Sequence, residues 1–237
     1  MPVLSQLKRS VRAAALKRWA PDMYSPNATP APVHRLLNGR RNLHCMDIGA
    51  FNGDFFAELQ EIAHFEKAVL VEPMPELAAS LRRRFQDHTV VEAAVGSDER
   101  EVQFNTYPDA PYTSSVLRMS SVVPEHSAIT NGNCQIITAK QRTLDSIAYE
   151  YDVHRLDLLK IDIQGAELSA LSGARSVLAT TGAVWIEVSF VRLYEGSCLF
   201  HEVHDMLYSI GFRMTTLRPG WGTPSGELIQ ADALFQR

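Results

Sequence analysis

The sequence predicts one α/β domain built on a mainly parallel sheet, and two observations lead there. From residue 43 onward, short apolar runs alternate with amphipathic stretches at helical spacing, and no internal repeat interrupts them. The first run, Leu43 to Ile48, leads straight into a glycine turn, the kind of strand-to-helix junction at which doubly wound sheets hold ligands. A length of 237 residues suits a single large domain.

Residues 1–40 read as an extension and residues 41–237 as the folded domain. In the extension, Leu4, Leu7, Val11, Ala14 and Leu16 roughly keep helical spacing, with Lys8, Arg9, Arg12, Lys17 and Arg18 mostly between them. That predicts a helix packing on the domain or on a second copy in a homodimer. Its basic face leaves a membrane-surface or targeting role open, although the continuous apolar core of a signal peptide is missing. "APDMYSPNATPAP" follows, with four prolines in thirteen residues, as a linker or ordered loop.

The domain begins with strand "LHCMDI" and helix "GDFFAELQEIAHF", which places Phe55, Phe56, Leu59, Ile62 and Ala63 on one side. Strand "KAVLVEP" stops at Pro73, and helix "PELAASLRRRF" carries Pro75 in its first turn, where a missing N–H costs nothing. "TVVEAAV" reads as one more strand. "EVQFNTY" and "NCQIITAK" then flank a long irregular stretch of the kind that usually serves function. Alternation resumes with helix "TLDSIAYEY", strand "LDLLKIDI", helix "AELSALSGARSVLA" and strand "AVWIEVSF". Helix "CLFHEVHDMLYSI", a short strand after Phe212 and the terminal strand "ELIQADALFQ" complete the chain.

Composition excludes several classes. With 46% hydrophobic and 21% charged residues and a net charge of −4, nothing suggests nucleic acid as a partner. Three cysteines, at 45, 134 and 198, without CxxC or Cys/His spacing, indicate neither a disulfide framework nor a zinc site, and a cytoplasmic location fits. No apolar run reaches the roughly 18 residues needed to span a bilayer.

The glycine turn discriminates between ligands. A dinucleotide fingerprint counted from Gly49 requires glycines where Phe51 and Asp54 stand, and Asp54 would face a pyrophosphate. Asp47, Glu72 and Asp162 each fall at the carboxyl end of a strand. Three carboxylates there repel phosphate and suit a ligand with an amino group, a sulfonium and free ribose hydroxyls, which are the features of S-adenosylmethionine. Glu72, some two dozen residues after the turn, is placed to accept from the ribose. The plainer alternative is that these acids cap helices.

The strings "DIGAFNGDF", "VEPMPELAASL", "TLDSI", "LLKIDIQGAE" and "WIEVSF" resemble the FkbM-type family of S-adenosylmethionine-dependent methyltransferases over about residues 43 to 190. K-I-D-x-x-G-x-E is the most specific part. Asp162 and Glu167 match it, while Gln164 stands where the family usually has Glu. The resemblance implies a class I, Rossmann-like methyltransferase fold, with a mainly parallel seven-stranded sheet, an antiparallel last strand and helices on both faces. It implies S-adenosylmethionine as cofactor, with Asp47 and Gly49 at its methionine moiety and Ala50, Phe51, Asn52 and Gly53 in the same turn. Glu72 would hold the ribose, Pro73 and Met74 would lie near the adenine, and Ala93 and Ala94 would read the adenine edge. Asp162 would lie under the transferred methyl, and Ser114 and Ser115 match a serine pair near the site. The acceptor would be a hydroxyl of a small molecule such as a sugar, polyketide or other secondary metabolite.

An alcohol acceptor must also lose a proton, for which Asp162, Glu187, Lys160 and His126 are candidates. Lys160 lies in a strand buried on both faces and needs a carboxylate, with Glu187 or Asp162 the expected partners. His201 and His204 read as ordinary histidines, and no residue set predicts a metal site. Tyr112 and Arg118 mark the middle stretch as a lid or acceptor surface, and Trp221 either borders the acceptor or belongs to a hairpin. Two alternatives stay open, an NAD-binding oxidoreductase, disfavoured by Phe51 and Asp54, and a non-catalytic S-adenosylmethionine-binding protein, for which Gln164 leaves room.

Overall fold

The computed structural model describes residues 31–121, 133–223 and 225–237, so the N-terminal helix and His126 lie outside the described residues. Helix α1 (Ala31–Leu37) precedes β1 (Leu43–Ile48), α2 (Asp54–Ile62), β2 (Phe65–Val71), α3 (Pro75–Arg84) and β3 (Thr89–Val91). Next come β4 (Ala94–Val95), β5 (Arg100–Thr106), β6 (Gln135–Arg142), α4 (Leu144–Glu150) and β7 (Leu158–Ile161). The chain ends with α5 (Glu167–Ser172), α6 (Arg175–Ala179), β8 (Ala183–Ser189), α7 (Phe200–Ser209), β9 (Arg213–Pro219) and β10 (Gln230–Gln236).

Seven strands form the main sheet in the order β3-β2-β1-β7-β8-β10-β9. Pairing is parallel from β3 to β8, and β10 runs antiparallel to both its neighbours, as the family resemblance implies for the last strand. A second sheet, β4-β6-β5, stands beside it.

Alternation along the strands sends side chains to two cores. Met46, Ile48, Val184 and Ile186 join α4, α5, α6 and α7 on one face. Leu43, Cys45, Leu158, Trp185 and Leu234 join α1, α2 and α3 on the other. Val33 and Leu37, which the sequence places in the extension, are fully buried in this second core.

Two predicted elements divide. "TVVEAAV" is two strands, because β3 pairs with β2 while β4 pairs with β6 in the smaller sheet, and the chain crosses between sheets at Glu92 and Ala93. "AELSALSGARSVLA" is two helices parted at Gly173, where a Cβ would lie 2.3 Å from the Gly96 carbonyl oxygen, so the chain is pressed too closely there for any side chain. The strand after Phe212 is longer than expected, since β9 pairs with β10 along nearly its whole length. Trp221 belongs to the hairpin rather than to the cavity described below: its backbone pairs with Ile229 and Gln230, and its ring packs among Tyr107, Met119 and Tyr194.

Candidate active site

The second face becomes polar toward the carboxyl ends of the strands. Asp47 sits opposite Lys160 on β7, and Glu187 opposite Asp232 on β10. Asp162 follows directly on β7, one residue past the Ile161–Ile186 pair. Lys160, Asp162, Glu187 and Asp232 line a cavity of about 340 Å³, at the low end of the volumes usual for small-molecule sites.

The inner wall is the turn after β1. Gly49 adopts φ +72°, and a Cβ there would lie 1.9 Å from the backbone oxygen of Asp162, so only glycine lets β1 and β7 end this close together. Phe51 also takes the left-handed conformation, at φ 52°, which few residues of its size adopt. Its N–H donates to Glu72 Oε2 at 2.9 Å, and the Met74 N–H donates to Oε1 at 2.9 Å. Both Glu72 oxygens are thus fixed by backbone, each with lone-pair capacity left for a ligand. Burial pushes this carboxyl up to about 7 even though the two N–H groups favour its charged form.

Gly49, Ala50, Phe51 and Asn52 line the cavity with Glu72, Pro73 and Met74. Ala93 and Ala94 close one end, and Lys160, Asp162 and Glu187 form the floor. Asp47, Gly53 and Ser115 are not among the lining residues. Gly53 serves packing: a Cβ there would meet the Phe85 ring at 2.4 Å. Ser115 lies behind the wall, where its hydroxyl donates to Gln164 O at 2.9 Å and accepts from Leu117 N. Its neighbour Ser114 does line the cavity, and Tyr112, 63% exposed, stands at the rim.

Asp47 lies beneath the turn, 1% exposed, with Lys160 Nζ 3.1 Å from its Oδ1. Lys160 also reaches Asp162 Oδ2 at 3.8 Å and donates to the Gly49 carbonyl at 2.7 Å. The ion pair expected for Lys160 therefore exists, with Asp47 as nearer partner, Asp162 as second and no contact to Glu187. Burial disfavours the Lys160 charge, but the charges of Asp47, Asp162 and Glu187 outweigh it and hold the amine above its ordinary value. These charges favour the amine as a cation that ties the turn together.

Gln164 occupies a left-handed turn at φ 55°, and its amide bridges two acids, donating to Asp162 Oδ1 at 3.0 Å and to Glu187 Oε2 at 2.9 Å. Glu167 holds the turn from behind, accepting from Ile163 N and Gly165 N at 3.1 Å each. A Glu at 164 would put a third carboxylate against two others; the amide supplies donors there instead. Sequence reasoning missed Asp232, Arg218, Trp185 and Phe55 in the cavity, and Gln230 beside it, which donates to Glu187 Oε2 at 2.8 Å. A lone acid in the apolar run "ADALF" was the available signal. His201 is exposed, and His204 stacks on Tyr208 with Phe200 tilted against it. Among the described residues no group of three or more His, Cys, Asp or Glu could hold a metal ion, and no helix is long and apolar enough to cross a membrane.

The model of the methyltransferase FkbM domain matches residues 47–214. The chain is 33% identical over 73 residues to the 2-O-methyltransferase NoeI of Sinorhizobium fredii (strain NBRC 101917 / NGR234), a match covering 31% of this chain and 30% of that one. It is 24% identical over 166 residues to Methyltransferase 1 of Beauveria bassiana (strain ARSEF 2860), covering 65% of each. The matches thus span less than two thirds of either relative. Among solved structures, methyltransferase FkbM from Methylobacillus flagellatus KT superposes with a TM-score of 0.54 at 21% identity, over 86% of this chain and 45% of that one, which speaks to the fold.

Proposed function

The chain belongs to the FkbM methyltransferase family, whose methyl donor is S-adenosylmethionine, and from that premise we propose that it methylates a hydroxyl oxygen of a small molecule. The observation that carries the cofactor assignment is Glu72, fixed through both oxygens by the N–H groups of Phe51 and Met74 in the wall of a cavity also lined by Asp162 and Glu187. The residues present fit the donor. Glu72 retains acceptor capacity for two ribose hydroxyls, Ala93 and Ala94 leave room for a flat base, and Asp162 and Glu187 favour positive charge. Pro73 and Met74 would flank the base, and Asn52 and Ala50 the amino-acid end.

The bound donor supplies a methyl group already activated by its positive sulfur. Much of the remaining work is alignment, which can contribute roughly 7–11 kcal/mol. Lys160 ties the Gly49 carbonyl to Asp47 and so fixes the turn that would position the donor. Asp162 and Glu187 are the carboxylates placed to accept the hydroxyl proton. Oxygen as the acceptor atom is supported by the Sinorhizobium relative, a 2-O-methyltransferase. Family membership speaks against the oxidoreductase reading.

Thermal unfolding with S-adenosylhomocysteine, S-adenosylmethionine or NAD tests the cofactor. A ligand at 100 times its dissociation constant adds about 2.7 kcal/mol. A higher midpoint with the two sulfur ligands, lost in Glu72→Ala, is expected; a rise with NAD alone would overturn the reading. Formation of S-adenosylhomocysteine over a panel of alcohols, amines and thiols then tests the acceptor atom.

A further inference from the structure

Glu187 is surrounded in an unusual way. Two side-chain amides, from Gln164 and Gln230, both donate to its Oε2, and no described residue donates to Oε1. The groups facing it are mostly acids: Asp162 at the end of β7, Asp232 on β10 and Glu167 on α5. Lys160 on β7 is the nearby cation, and its contacts go to Asp47 and Asp162. Arg218 on β9 stands opposite Asp232, one strand farther out. Tyr194 donates to Gln164 Oε1 at 3.0 Å, which helps hold the amide of Gln164 toward Glu187. The exposure Glu187 retains is into the cavity, where a bound ligand would cover it.

Resting on the cofactor reading above, we propose that Glu187 takes the acceptor's proton through Oε1, and that it is readied for this by the methyl donor, releasing its own proton to solvent when the positively charged donor joins the carboxylates. Geometry and charge agree on this. Burial, then the negative charges of Asp162, Glu167 and Asp232, push the Glu187 carboxyl well above its ordinary range and so favour its protonated form in the free protein. One added positive charge in the cavity offsets that repulsion. In the transfer itself the acceptor O–CH₃ bond forms, the S–CH₃ bond breaks, and the hydroxyl proton passes to Glu187. The positive charge is then gone, and protonated Glu187 is again the favoured state beside a neutral thioether.

S-adenosylmethionine and S-adenosylhomocysteine differ by that methyl group and its charge, so their comparison isolates the effect. Isothermal titration calorimetry in buffers of different ionisation heat counts the protons released as each ligand binds. Across a pH series, S-adenosylmethionine should release up to about one proton more than S-adenosylhomocysteine, and Glu187→Gln should abolish the difference. Equal release by the two ligands in the wild type would overturn the inference whether or not the variant folds, as would a difference that persists in Glu187→Gln. Failure of both ligands to bind would instead overturn the cofactor reading, and this inference with it.

Discussion

Lys160 Nζ lies 3.1 Å from Asp47 Oδ1, and both side chains are almost wholly buried beneath the Gly49 turn. Removing Asp47 leaves the buried Lys160 charge only the more distant Asp162 carboxylate, so the cost approaches the roughly 3–5 kcal/mol of a broken buried pair. Asp47→Ala should therefore lower the thermal midpoint by roughly 6–20 °C, at about 2–4 °C per kcal/mol for a domain of this size. The double variant Asp47→Leu with Lys160→Met should recover most of that loss in stability while binding the cofactor poorly, because the Gly49 carbonyl loses its tie. A double variant no more stable than Asp47→Ala would show that the pair is not coupled.

Gly49 and Gly39 share a left-handed backbone but not a neighbourhood. A Cβ at Gly49 would sit 1.9 Å from backbone, whereas at Gly39, φ +73°, nothing lies within 4 Å. Gly39→Ala should cost about 1–2 kcal/mol from conformation alone. Gly49→Ala must also part β1 from β7, so its unfolding midpoint should fall well below that of Gly39→Ala, with cofactor binding lost. Equal midpoints would contradict the close approach.

Loss of the Glu72 carboxylate removes hydrogen bonds to a charged group, worth about 1.5–3 kcal/mol each. Glu72→Ala should weaken S-adenosylhomocysteine binding by at least about tenfold, by the usual 1.4 kcal/mol per decade. Equilibrium dialysis measures it, and an unchanged affinity would remove Glu72 from the site.

The carboxyls also set a pH dependence. Burial is the largest cause in each case, and it lifts Glu72 to about 7, Glu167 to about 6 and Asp232 to about 6. An acid raised in the folded state binds its proton more tightly there than in the unfolded chain, so stability is fullest below the ordinary carboxyl range and falls as pH rises through the raised values. Each unit is worth about 1.4 kcal/mol, so these groups together should cost the ligand-free protein stability between about pH 4 and 7. Urea unfolding across that range should show the decline, and a flat or rising profile would contradict it.

The acids at the sheet edge were legible in the sequence because each ends an apolar run, and a run of this kind fixes both strand and edge. Asp162 as a partner of Lys160 was legible too, but the nearer one was not, since it depends on β1 lying beside β7 in a register that brings Asp47 opposite it across more than a hundred residues. Gly173 read as one more helical residue because the carbonyl of Gly96 that breaks the helix comes from a distant turn. Asp232 and Gln230 went unread for a related reason. Alternation shows that they share a face of the last strand, and only the order β8-β10-β9 shows that this face meets Glu187.

A crystal structure of the protein with S-adenosylhomocysteine would show where the donor sits. The ribose hydroxyls should lie on Glu72, the base beside Ala93 and Ala94, and the sulfur over Asp162 on the side facing Glu187. A ligand seated elsewhere, or one whose ribose makes no contact with Glu72, would contradict that placement.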